Sequence, residues 1–391
     1  MARIGIYGGA FNPPHTGHIR AAQFGVQTLN LDKLLLIPSC SSPHKPLPAG
    51  SALPEQRLEM TKLWAGEKME VCDIELSRGG TSYTYETVEQ LKKQYPEDEL
   101  ILFMGTDMFL SFHTWKEPER ILKCVSLAVF YRGDKGEQVM IADKQQEYEI
   151  AGHRVYLVEN PVTEISSTQL RRMLVFGCAA PFLDEKVASY IQENGLYGTA
   201  ENYKNLPMDE LEAVVICLLN PNRVRHVLGC RDTAAELAKV WGADVTDAAR
   251  AGLLHDITKA LDGPLQLTVC AEYGKVLDEF SENNPKTLHA LTGSLVAERI
   301  FGENDAVVKA IESHTTGKRA MNTLEKIIYV ADYMEPNRDF PGVEELRRLA
   351  YTDLDGALKL GLEMTLAMLK QQKRQISPAS SQALAYLEQK G

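Results

Sequence analysis

The sequence predicts an α/β domain built on a parallel sheet followed by an all-α domain, and three observations carry that prediction. A chain of 391 residues exceeds the length, about 250 residues, at which a single core usually stops growing. Up to about position 198, short apolar β-rich runs alternate with helical patterns; from 207 onward the runs vanish and apolar residues recur at spacings of three and four. Between the two regions, Gly195, Leu196, Tyr197, Gly198, Thr199, Ala200, Glu201 and Asn202 carry two glycines and no period. Domains at 1–198 and 207–391 with a linker at 199–206 are therefore expected.

In the first domain, Ile4–Tyr7, Leu34–Ile37, Val71–Ile74, Leu100–Met104, Leu127–Tyr131 and Val155–Val158 are expected as strands. Strands separated by helices imply a doubly wound parallel sheet. Ser39–Ala52, rich in Ser and Pro, is expected as a long mobile loop able to close over a ligand. In the second domain, the helical pattern starts in Met208–Leu219 and recurs in Thr233–Trp241, Asp247–Leu254, Ala306–Ser313 and Leu324–Ala331.

Hydrophobic residues at 44% and charged residues at 24% are values of a globular chain with little room for disordered tracts. The net charge of −11 divides into −5 up to position 198 and −6 beyond it, so neither half resembles a duplex-binding surface and no nucleic-acid partner is expected. Seven scattered cysteines, odd in number and without a CxxC pair, argue against a disulfide framework or a thiolate zinc site. Residues Met1 to Gly9 lack the basic and apolar regions of a signal peptide, and the longest apolar stretch, Ala213 to Leu219, is far short of a membrane span. A cytoplasmic protein without a membrane partner is expected; the sequence leaves homo-oligomer formation open.

Directly after the first strand come Gly8, Gly9, Ala10, Phe11, Asn12, Pro13, Pro14, His15, Thr16, Gly17 and His18, leading into the helical run Ile19 to Leu29. Glycines at a strand-to-helix turn let backbone amides approach phosphate oxygens, and the helix start adds partial positive charge. His15 and His18 beside that anion site can donate hydrogen bonds to an α-phosphate and to the oxygen that leaves with pyrophosphate. Far along the chain, Ser166 with Gln169 forms a capping box, so Ser167, Thr168 and their amides stand at a helix start with Arg171 one turn in. The blander readings are a capped Pro-rich loop and an ordinary capped helix. Together the GGxFxPxHxGH turn and ISSTxxR resemble the nucleotidyltransferase superfamily, which implies a Rossmann-like fold, attack on the α-phosphate of a nucleoside triphosphate, and a polyphosphate site on both segments.

Within that superfamily, Pro43, His44 and Lys45, then Thr81, Ser82, Tyr83 and Thr84, then Gly105, Thr106 and Asp107, then Trp115 and Arg132 resemble the nicotinate-nucleotide adenylyltransferases. The resemblance implies ATP and nicotinate mononucleotide as substrates and Mg²⁺ carried by ATP. It implies catalytic His15, His18 and Arg171, and substrate contacts from Gly8, Gly9, Phe11, Lys45, Tyr83, Thr84, Gly105, Asp107, Trp115, Arg132, Ser166, Ser167 and Thr168. Trp115 offers a flat face to a pyridine ring, although a lone Trp is more often core; Tyr83, Thr84 and nearby amides can meet the ring's carboxylate.

The helical half carries His226, His255, His289 and His314, with Asp256 directly after His255 and Asp332 in an otherwise apolar helical run. Any one such histidine reads more readily as a satisfied core residue; four His and two Asp suffice for two metal ions. The order H…HD…H…H…D resembles the HD-domain phosphohydrolases. His314-Thr315-Thr316-Gly317 and Ala331-Asp332-Tyr333-Met334-Glu335-Pro336-Asn337-Arg338 are similar to their bacterial YqeK-type branch. That resemblance implies symmetrical cleavage of diadenosine tetraphosphate into two ADP, Asp256 bridging two divalent ions, and Lys259 and Arg338 facing the phosphates. Imidazole and carboxylate ligands suit Fe, Mn or Zn, and the family suggests iron. The ligands alone are equally compatible with a nucleotidase, a cyclic-dinucleotide hydrolase or a nucleotide-sensing module without turnover.

Overall fold

The computed structural model describes residues 1–41, 47–131, 135–160 and 165–390. Lys45 and Arg132, with Pro43 and His44, lie outside the described residues. The chain divides into two compact units, Met1–Glu201 and Asn202–Gly391.

Among the described residues the first unit contains six strands: β1 (Arg3–Gly9), β2 (Lys33–Pro38), β3 (Met69–Val71), β4 (Glu99–Gly105), β5 (Ser126–Tyr131) and β6 (Val155–Glu159). They pair throughout in parallel, in the order β3-β2-β1-β4-β5-β6. This is the Rossmann-like sheet. Its strands read as continuous apolar runs because helices cover both faces; Leu34, Leu35, Leu36 and Ile37 are all buried.

One strand differs from the sequence expectation. Val71–Ile74 is not a strand: pairing with β2 ends at Val71, and Ile74 opens the short helix Ile74–Arg78 behind Asp73. Asp73 breaks the apolar run and is a residue that favours the position before a helix over a strand interior.

The second unit is mostly helical, as its periodicity predicts. Its principal helices are Met208–Leu218, Val224–Trp241, Val245–Leu254, Gly263–Glu272, His289–Arg299, Asp305–Ser313, Thr323–Met334, Val343–Ala350, Leu354–Gln371 and Pro378–Lys390. Residues 205–206, expected in a linker, are tied into this unit: the Asn205 amide donates to the Phe301 carbonyl at 2.9 Å, and Arg250 Nη1 donates to the Leu206 carbonyl at 2.9 Å. No helix is long and apolar enough to cross a membrane among the described residues, and all seven cysteines are unpaired.

Candidate active sites

Strand order reverses between β1 and β4, and in open α/β sheets a ligand crevice forms at the carboxyl ends of strands at such a switch. A cavity of about 600 Å³ opens here, walled by Gly8 and Gly9 at the end of β1, by Leu102 and Phe103 of β4 and by the starts of two helices. Gly8 and Gly9 line it. A Cβ on Gly8 would meet nothing within 4 Å, so a side chain there would stand in the cavity itself. Phe11 has a different place: fully buried at φ 45°, its ring packs against Tyr7, His18 and Trp64 and shapes the turn from behind.

The helix begins at Thr16, earlier than the expected Ile19, and puts Gly17 and His18 in its first turn. The His15 amide donates to His18 Nδ1 at 3.2 Å, which leaves the ring hydrogen of His18 on Nε2. The two rings lie 3.7 Å apart between centroids. Burial pushes His15 down to about 4, and burial followed by the charge of His15 holds His18 well below the usual range. Both are neutral donors at neutral pH.

The late segment arrives beside this turn. Ser166 caps the helix Ser167–Val175 by the reciprocal pair with Gln169, at 3.2 and 3.0 Å. Arg171 Nη1 donates to the Asn12 carbonyl at 2.7 Å and Nη2 to Thr168 Oγ1 at 3.2 Å, while Ser167 Oγ donates to the Pro13 carbonyl at 3.4 Å. Ser166, Ser167, Thr168 and Arg171 all line the cavity. Neither this helix nor Thr16–Thr28 has an acidic residue in its first turn, so both positive helix ends remain available to an anion.

Tyr83, Thr84 and Trp115 line the other end of the same cavity. Thr84 opens the helix Thr84–Gln94 and Tyr83 precedes it, and among the described residues no side chain caps this helix start beside the cavity. Trp115 follows the turn Phe112–Thr114 and leans on Phe112, with ring centroids 5.2 Å apart. Gly105 ends β4 and Asp107 lies exposed in the helix Thr106–Leu110; neither lines the cavity, and neither do His15 and His18.

Three residues that the sequence reading missed fasten the turn. Arg57 is wholly buried and donates to the carbonyls of Ala10 and Ser39 at 2.7 Å each and of Cys40 at 3.2 Å. Tyr197 Oη donates to Asn12 Oδ1 at 2.8 Å, and Asn12 Nδ2 donates to Ser51 Oγ at 2.7 Å. Arg57, Met60, Thr61 and Trp64 form the buried stripe of one helix. A charge inside such a stripe is the signal that could have found it.

In the second unit, five helices bring six ligand-type residues together at their ends. His226 is in the first turn of Val224–Trp241, His255 and Asp256 follow Val245–Leu254, His289 opens His289–Arg299, His314 follows Asp305–Ser313, and Asp332 lies in the last turn of Thr323–Met334. Asp256 faces two ways. Its Oδ2 is 3.6 Å from Nε2 of both His226 and His255, and its Oδ1 is 3.5 Å from His289 Nε2 and 3.9 Å from His314 Nε2. Asp332 Oδ1 lies 3.0 Å from His226 Nε2 and 3.7 Å from His255 Nε2.

Each ring is held from outside by its other nitrogen. Nδ1 of His255, His289 and His314 donates to the carbonyl three residues earlier, Gly252, Lys286 and Ile311, at 2.7, 3.0 and 2.7 Å. His226 Nδ1 donates to buried Glu335 Oε1 at 3.1 Å. This leaves the Nε2 lone pairs turned inward, those of His226 and His255 only 3.2 Å apart. Facing lone pairs repel unless a cation lies between them, and outer hydrogen bonds of this kind orient metal-binding imidazoles. Burial keeps His255, His289 and His314 unprotonated, the last pushed down to about 3. His226, His255 and Asp332 form one set with ligand atoms close enough for an ion, and His255, Asp256 and His314 a second. The donor set therefore fits divalent metal binding.

Cations ring this centre. Lys259 Nζ is 2.9 Å from His289 Nε2, and burial lowers its pKa to about 8. Arg338 Nη2 donates to Asp332 Oδ1 at 2.6 Å. Arg223, which the sequence reading missed, bonds Asp256 Oδ2; it precedes the helix Val224–Trp241 and stands three residues, about one helical turn, before His226, which is the available signal.

Two family models match: cytidylyltransferase-like over residues 6–173 and HD domain over residues 223–337. The probable nicotinate-nucleotide adenylyltransferase of Desulfatibacillum aliphaticivorans is 36% identical over 217 residues, covering 50% of this chain and 99% of that protein. The symmetrical bis(5′-nucleosyl)-tetraphosphatase of Bacillus subtilis is 38% identical over 171 residues, covering 44% of this chain and 91% of that protein. A crystal structure of an HD superfamily hydrolase described as involved in NAD metabolism, from Clostridium acetobutylicum, is 36% identical, covering 48% of this chain and 99% of that chain, with a TM-score of 0.47.

Proposed function

The chain belongs to the nicotinate-nucleotide adenylyltransferases and, through its HD domain, to the symmetrical bis(5′-nucleosyl)-tetraphosphatases, and from that premise we propose that it is a bifunctional enzyme. The first unit transfers the adenylyl group of ATP to nicotinate mononucleotide. The second hydrolyses diadenosine tetraphosphate at its central anhydride to give two ADP.

For the transferase, the carrying observation is the fastening of the Ser167–Arg171 helix start to the Asn12-Pro13 turn. A phosphate oxygen of the mononucleotide attacks the α-phosphorus of ATP, a new P–O bond forms, and the bond to pyrophosphate breaks. Positioning and charge stabilisation suffice, without a covalent enzyme intermediate. In this reading Gly8, Gly9 and the Ser167 and Thr168 region cradle the polyphosphate, Arg171 and His18 donate where negative charge grows, and His15 holds His18. Trp115 stacks on the pyridine ring, and Tyr83 and the amides at Thr84 meet its carboxylate. Mg²⁺ enters with ATP.

For the hydrolase, the carrying observation is the two-faced Asp256 among four histidines tethered through Nδ1. Two divalent ions, taken as iron from the family, would be held by His226, His255, Asp332 and Asp256 on one side and by His289, His314 and Asp256 on the other. Bound there, they supply Lewis-acid polarisation of a phosphoryl group and a more acidic water. Lys259, Arg338 and Arg223 hold the phosphates against the pair.

Product analysis tests both halves. The purified chain given ATP and nicotinate mononucleotide should yield nicotinate adenine dinucleotide and pyrophosphate; given diadenosine tetraphosphate and metal, it should yield ADP alone. AMP with ATP as products would defeat the symmetrical assignment, and no product from a metal-loaded protein would make the second unit a binding module.

A further inference from the structure

The geometry points to Lys116 as the residue that selects a carboxylate-bearing pyridine nucleotide over its carboxamide counterpart, an inference that rests on the adenylyltransferase reading and names the specificity of that same site. Lys116 lines the cavity beside Trp115 and Tyr83. Its Nζ stands 3.9 Å from the centroid of the Tyr83 ring and 5.8 Å from that of Tyr85. A cation over an aromatic face is held by the ring's negative face without being neutralised. Arg120 makes the contrast: it also lies over Tyr85, at 4.5 Å, but both Nε and Nη2 are bonded to Glu89 at 2.7 Å. Among the described residues Lys116 has no such carboxylate partner. Glu75, the carboxylate on the cavity wall, accepts instead from Thr87 Oγ1 at 2.8 Å.

Helix-start amides at Thr84 cannot make this selection alone. An N–H group donates to a carboxylate oxygen and to a carboxamide carbonyl in the same geometry, so it positions either ring. A full positive charge discriminates, because only the carboxylate carries the opposite one. Arg171 serves the other end of the cavity, bonded to Asn12 and Thr168 at the β1 turn. Among the described residues, the positive charge at the Trp115 end is that of Lys116.

Steady-state kinetics of the full chain, Lys116→Met and Lys116→Arg, each with nicotinate mononucleotide and with nicotinamide mononucleotide at saturating ATP, tests the inference. In Lys116→Met the ratio of kcat/KM for nicotinate over nicotinamide acceptor should fall at least about tenfold, or about 1.4 kcal/mol, chiefly through KM for the nicotinate form, as loss of uniform binding predicts. Lys116→Arg should restore most of the ratio. Calorimetric binding of nicotinate mononucleotide alone should weaken in parallel. An unchanged ratio, or equal loss on both acceptors, overturns the role of Lys116 while leaving the adenylyltransferase reading intact. Failure of the unsubstituted chain to form either dinucleotide overturns that reading and this inference with it.

Discussion

With its Nδ1 occupied by the His15 amide, His18 has a single hydrogen to offer, at Nε2. A neutral donor fixed in this way stabilises charge that develops in a transition state without reorganising. His18→Ala should therefore lower kcat for dinucleotide formation by about 100-fold with a smaller change in KM for ATP. His15 gives a second expectation. Its folded pKa, pushed down by burial to about 4 from the usual 6.5 of a histidine, means that the unfolded chain takes up a proton first as pH falls. Stability of the first unit should decline from about pH 6.5 to about 4, by at most on the order of 3 kcal/mol, and this contribution should level off on either side. Hydrogen exchange of β1 and β4 amides across that range should show a slope in the unsubstituted chain that is flatter in His15→Gln; equal slopes would remove His15 as the cause. The two histidines were legible as residue types in the sequence. The proton position was not, because it depends on a backbone amide placed by a helix that begins three residues earlier than the apolar periodicity at Ile19 indicates.

Among the elements, the strands were legible because both faces of a parallel sheet are covered and each strand is an unbroken apolar run. β3 was misplaced because only three residues pair before Asp73 ends the run. In the second unit the helices could be read, but the tethering of the ligands could not. Histidines at helix ends reach carbonyls of the last helical turn, and Gly252 and Ile311 supply two of them. Gly252 also sets how closely two helices approach: a Cβ there would lie 2.8 Å from Arg231 Cα and 3.1 Å from the Cys230 carbonyl oxygen. Because the obstacle is backbone, Gly252→Ala must separate Val224–Trp241 from Val245–Leu254. A destabilisation of about 1–3 kcal/mol is expected, and His226 and His255 should part with it. Metal titration of the folded variant should show weaker binding than the unsubstituted chain; wild-type affinity would mean that the helix spacing does not set the ligand geometry.

At the scale of the whole molecule, the two proposed ligand sets share no residue: His15, His18 and Arg171 fall in Met1–Glu201, and all six proposed metal ligands fall in Asn202–Gly391. Asp256→Asn should abolish hydrolysis of diadenosine tetraphosphate and reduce bound metal, yet leave dinucleotide synthesis within about twofold. Loss of both reactions in a folded variant would show that the sites are coupled. The division into two domains was readable from the disappearance of strands after position 198, whereas the fastening of 205–206 to the second unit was not, since it rests on backbone carbonyls and amides that carry no sequence signal. The bonds from Arg171 and Tyr197 to Asn12 also bear on the order in which the protein is made. Asn12 leaves the ribosome well before its two partners, which lie 159 and 185 residues further along the chain. Since domains emerge and fold from the N-terminus as units, Arg57 and Ser51 can hold the turn after β1 early, and the last two bonds to it close only when synthesis of the first unit is nearly over.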